Sequence, residues 1–132
     1  MKEYHLKTKQ FFVGAIIIDP TALKYALWKC ENKIKIAAVR LGVMSAVTAA
    51  DTNYTTAIVK NATVTIASMA NGPIAGGISI AAGAQGAFTL VTAAGANEVA
   101  KDALLTLEFT KVGNGLAWAG ANVEIDYYDY ND

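Results

Sequence analysis

Two stretches in the last quarter of the chain alternate apolar and polar residues with a period of two. In 105–109, Leu105, Leu107 and Phe109 alternate with Thr106 and Glu108. In 123–127, Val123, Ile125 and Tyr127 alternate with Glu124 and Asp126. That period belongs to a half-buried β-strand, in which successive side chains leave opposite faces. Shorter runs repeat it. Val64 and Ile66 oppose Thr63 and Thr65, Ile74, Ile78 and Ile80 share a face with Gly76, and Phe88 shares one with Leu90. Lys33 to Val43 begins in one phase (Ile34, Ile36) and continues in the other (Val39, Leu41, Val43). One extra residue near Ala37-Ala38, a β-bulge, reconciles the two, since a slip without a bulge would put the apolar set into water.

Turn signals separate these runs: Asn71-Gly72-Pro73, Gly83, Gly86, Gly95 and Gly113-Asn114-Gly115. The pattern predicts an all-β protein, an antiparallel, jelly-roll-like β-sandwich of about eight strands. They are placed near 4–13, 34–44, 55–60, 62–68, 74–80, 87–91, 103–111 and 121–129. One short helix is expected over Thr21 to Lys29, where Pro20 precedes Leu23, Leu27 and Trp28 at helical spacing. The 132 residues suffice for one domain. Within it, residues 1–30 read as an extended basic N-terminal arm with the first strand and short helix, and residues 31–132 as the sandwich body.

Charged residues make up 17% of the chain, below the usual share of about 25%. A small domain with so little charge leans towards self-association or docking. Net charge is zero, which argues against a general nucleic-acid binder. Residues 1–40 nevertheless carry eight Lys/Arg and three acids, whereas the remainder carries three Lys and eight acids. That +5/−5 division reads either as a solvated arm or as complementarity between the basic part and an acidic face on a neighbouring copy or another protein.

The chemistry-bearing residues are few. Cys30 and His5 are each the single residue of their kind, so no disulfide within the chain, no Cys-based zinc site and no two-His site can form. The glycine-rich stretch from Asn71 to Gly86 contains no phosphate-loop pattern and reads as turns. Glu124, Asp126, Asp129 and Asp132 lack the offsets of a calcium loop and read as a solvated strand end. No nucleophile–base pair is evident, so no enzyme activity, cofactor or metal is expected. The N-terminal apolar run Phe11–Ile18 superficially resembles a leader, but it is short, lacks leucine and ends at Asp19-Pro20 without a small-residue cleavage site. No run approaches the roughly 18 apolar residues of a membrane span. Tyr127, Tyr128 and Tyr130 with Trp118 read as core plus rim, as a protein interface, or as a sugar platform.

Residues 78–128 resemble a pattern found in small structural proteins of tailed phages, often encoded near the capsid gene. The matching pieces are Ile80-Ala81-Ala82-Gly83-Ala84, Val99 to Leu107, Val112-Gly113, and Gly120-Ala121 leading into Val123–Tyr128. Ala100-Lys101-Asp102 stands where the pattern has Ala-Gly-Asp. The resemblance covers about half of the chain and leaves the first 30 residues outside it. It implies a capsid decoration (cement) protein, a homotrimer bound to the major capsid protein on the outer surface of the virion, with no catalytic residues. Candidate partner contacts are Lys2, Lys7, Lys9, Phe11, Phe12, Trp118, Tyr128 and Tyr130. The alternatives are a tail, baseplate or fibre-base component and, from another class, a carbohydrate-binding module using Trp118 and the tyrosines.

Overall fold

The computed structural model describes residues 4–16, 23–93 and 95–130. Among the described residues ten strands, against the eight or so expected, form two antiparallel sheets, and no helix occurs. The strands are β1 (Leu6–Ile16), β2 (Leu23–Lys29), β3 (Ile34–Gly42), β4 (Tyr54–Asn61), β5 (Val64–Ala70), β6 (Gln85–Ala87), β7 (Thr89–Leu90), β8 (Glu98–Val99), β9 (Leu104–Val112) and β10 (Trp118–Asp129). Sheet A runs β1-β10-β3-β6, with β8 also paired to β3. Sheet B runs β2-β9-β4-β5-β7. Each sheet interleaves strands from the two ends of the chain, and this order is that of a jelly roll.

Apolar positions on both sheets meet in one core. Leu105, Leu107 and Phe109 of β9 are fully buried, as are Val123 and Ile125 of β10, with Tyr127 half-buried beside them. β9 and β10 lie in different sheets and pack face to face, and Trp118 contributes to the same core at 1% exposure. The link between them turns at Gly113, whose φ of +62° suits glycine. A Cβ there would also collide with Asn53 and Thr52. Thr55, fully buried, is satisfied by Leu116, whose carbonyl accepts from its hydroxyl and whose amide donates to it, each at 2.8 Å.

The expected bulge in β3 is present. Asp126 pairs with Ala38 and Tyr127 with Ile36, which leaves Ala37 as the extra residue. Ile34, Ile36, Val39 and Leu41 all become buried. The far side of β3 divides at the same place. β6 pairs with Arg40–Gly42, β8 pairs with Ile34–Lys35, and Asn97 bonds the main chain of Ile36 in between.

Four expectations are corrected. The segment expected as a short helix is β2 over Leu23–Lys29, while Thr21 and Ala22 lie outside the described residues. Its ladder places Ala26 opposite Thr106 and Trp28 opposite Leu105, so Leu27 is bulged. The extra residue brings Leu27 and Trp28 together against the core, which mimics helical spacing. The expected strand 74–80 is absent. Gly72-Pro73 is cis, Gly76 has φ +94°, and only Ile80 makes a bridge, to Val47. The expected strand near 87–91 is two short ones, β6 in sheet A and β7 in sheet B, joined through buried Phe88. The basic N-terminal stretch runs within the sandwich, because β1 pairs with β10 from Leu6 to Ile16.

Candidate functional site

Sheet A's outer face is organised in rows that cross its strands. Gln10, Glu124, Arg40 and Ala87 form one row, and Thr8, Asp126 and Ala38 form the next. Arg40 grips Asp126 through Nη1 (2.7 Å to Oδ2) and Nη2 (2.9 Å to Oδ1). Its Nε and Nη2 also reach Glu124 Oε2 at 3.3 and 3.2 Å. The Thr8 hydroxyl donates to Asp126 (2.7 Å), and the Gln10 amide donates to Glu124. Bidentate, charge-assisted bonds of this kind fix geometry as well as charge. The hydrogen bond from Arg40 is the main reason that the Asp126 carboxyl sits below its ordinary range. Glu124 is lowered chiefly by the Gln85 and Gln10 amides, with Arg40 adding to them.

Sheet B has a smaller counterpart. Glu108 lies between Lys24 (2.9 Å) and Lys60, and hydrogen bonds from Lys60 and then Lys24 lower its pKa. Lys7 meets Asp129 at 3.9 Å. Part of the +5/−5 division is thus met between neighbouring strands of the same molecule, where Lys7, Lys24 and Arg40 face Asp129, Glu108, Glu124 and Asp126. Jelly-roll order sets β1, β2 and β3 beside β9 and β10, so early cations meet late carboxylates.

These arrangements hold charge still. A general acid or base needs a pKa raised or lowered towards its working pH, whereas Glu108, Glu124 and Asp126 are all moved away from neutrality. Burial pushes the Cys30 thiol up to about 11 against a small opposing effect from Lys9, which leaves it a protonated core residue. Among the described residues no group of three or more His, Cys, Asp or Glu is placed to hold a metal ion.

The candidate contact residues separate into three places. Lys2 lies outside the described residues. Trp118 packs edge-to-face on Phe109 with centroids 5.2 Å apart, inside the core, and so offers no surface to a capsid or a glycan. Lys7, Lys9, Phe11 and Phe12 lie on β1. There the Lys9 ammonium sits 4.6 Å from the centre of the Trp28 ring, and Phe11 packs against Trp28 at 5.9 Å. Phe12 points away from the core and is 77% exposed. Phe11, Phe12, Val13, Tyr25 and Leu27 line a groove of about 360 Å³ between β1 and β2.

Tyr128 and Tyr130 lie at the opposite end of sheet A's outer face, where they and Tyr4 and Lys35 line a cavity of about 250 Å³. Sequence reasoning passed over Arg40, Lys35, Glu98 and Tyr4. The signal for two of them was available. Lys35 and Arg40 are five residues apart and would face opposite ways on a regular strand, but the bulge at Ala37 turns both outward. Comparison with protein-family models, with curated proteins and with solved structures finds no match.

Proposed function

We propose that this chain is a structural virion protein that docks on the outer surface of the major capsid protein lattice and stabilises the head as a homotrimer. The observation that carries the reading is the β1/β2 side of the sandwich. A strand of 11 residues ends its sheet there and presents Phe12 at 77% exposure beside a groove of mixed polar and apolar lining. Large exposed aromatics next to a pocket are the usual anchors of protein interfaces. The jelly-roll order is one that viral capsid proteins share with lectins and cupins, and the resemblance over residues 78–128 points to the virion.

The mechanism is additive burial. Each copy covers a boundary between capsid subunits, a specific contact needs more than roughly 1,000 Å², and three linked copies multiply weak contacts through effective concentration. Removing residues 1–12 would strip most of β1 from β10, so substitution at Phe12 is the cleaner probe. Purified protein is expected to bind undecorated native capsids and raise their bursting temperature, with Phe12→Ser losing both effects. A monomer at high micromolar concentration and on the particle would refute the trimer. Density at the tail in place of the head would favour a baseplate or fibre-base component.

A further inference from the structure

At the far end of sheet A, Leu6, Tyr128, Lys35 and Glu98 line up across four strands, β1, β10, β3 and β8. Tyr4 and Tyr130 stand over this row with rings 5.1 Å apart at 84°, so that one forms a wall and the other a floor. Tyr130 donates its hydroxyl to Glu98 Oε1 at 3.0 Å, which fixes the ring. Lys33 lies 5.2 Å from the centre of the same ring. The cavity bounded by Tyr4, Lys35, Tyr128 and Tyr130 holds about 250 Å³.

We propose that this tyrosine cluster binds an acidic sugar, as a single uronic-acid residue. The size fits one ring, since it falls below the roughly 300–1,000 Å³ that drug-sized ligands occupy. Aromatic faces set at right angles receive the C–H faces of a saturated ring, while phenol oxygens donate to and accept from its hydroxyls. Lys35 lines the cavity and supplies the point charge that a carboxylate requires. Among the described residues, Lys33 and Lys35 stand at the cluster against Glu98, whose carboxylate already accepts from Tyr130, so the sign of these groups favours an anion. The bulge at Ala37 is the structural cause of the site, because it turns Lys35 outward beside Tyr128. This inference does not depend on the capsid reading.

The test is a titration of the full chain, isotopically labelled, followed by amide and aromatic resonances. Sodium glucuronate, glucose and sodium acetate are the three probes. Glucuronate is expected to give saturable shifts centred on Tyr4, Lys35, Glu98, Tyr128 and Tyr130, with affinity at least about tenfold above glucose and above acetate. Lys35→Gln, at an exposed position, keeps the remaining spectrum and brings glucuronate down to the level of glucose. No saturable shift with glucuronate overturns the proposal. So does acetate binding as tightly as glucuronate, which would mark a bare anion site, or a Lys35→Gln chain that binds glucuronate undiminished.

Discussion

β9 and β10 run through the middle of their sheets, whereas β1 and β2 run along one side of the same sandwich. The central strands bury their mid-strand inward side chains completely, with Leu105, Leu107, Phe109, Val123 and Ile125 all at 0% exposure. On the lateral strands, Phe11, Val13, Tyr25, Leu27 and Trp28 are only partly covered. The lateral ladders are also broken, twice in β1 beyond Phe12 and once in β2 at Leu27. The opposite side of the sandwich ends in β6, β7 and β8, none longer than three residues. Short strands, bulges and inward-pointing lysines are ways of blunting a sheet edge. One side is thus closed by brevity. The other is long and half-dressed, with Lys9 over Trp28 and Phe12 exposed. The difference separates what holds the molecule together from what remains for a partner.

The contrast is broken most severely at β3. Deleting Ala37 removes the bulge and forces either Ile34 and Ile36 or Val39 and Leu41 out of the core. Exposing two such side chains costs roughly 3–6 kcal/mol, a large part of the 5–15 kcal/mol typical of a domain. Urea unfolding is expected to show a collapsed midpoint, and an unchanged midpoint would contradict the bulge assignment. Next comes a paired comparison across the Tyr25–Phe109 contact, whose centroids are 5.9 Å apart. Phe109→Ala on the central strand should cost about 3–5 kcal/mol. Tyr25→Ala on the lateral strand, half-covered, should cost about 1–2 kcal/mol by the same area reasoning. Equal losses would erase the distinction between centre and side.

Those two classes of strand also differed in how far the amino-acid sequence disclosed them. The central strands were readable because complete burial of one face enforces strict alternation, and the phase change in β3 disclosed its bulge. β2 was misread because its bulge places Leu27 and Trp28 side by side, which reproduces a helical stripe. The segment 74–80 was misread because alternation continues through Ile74, Ile78 and Ile80, although Pro73 and Gly76 have already turned the chain. The cation–carboxylate pairs were not readable, because they depend on which strands become neighbours. The +5/−5 division predicted attraction, but topology made its partners Arg40, Lys24, Glu108, Glu124 and Asp126 of one molecule.

A smaller effect is expected at that charged face. Arg40→Ala should cost about 1 kcal/mol, since the pairs are partly solvated. The sign of the pH dependence follows from the lowered carboxyl values of Glu124 and Asp126. Stability from their ionised forms is fully present above the ordinary carboxylate range near pH ~4 and is lost as pH falls through their lower folded values. Thermal melts should therefore be flat from neutral pH to about 5 and decline below about 4, with a shallower decline in Arg40→Ala. A decline of equal steepness in the variant would show that Arg40 does not hold these acids.

The smallest change in stability is expected at Phe12. Phe12→Ser should shift unfolding by no more than about 0.5 kcal/mol, as surface substitutions usually do, and yet it removes the proposed anchor. The bursting temperature of undecorated native capsids, measured with saturating wild-type protein and with Phe12→Ser, therefore tests the docking account most directly. The account predicts a clear rise with the wild-type chain and none with the variant. An equal rise with both, or no rise with either, would contradict it.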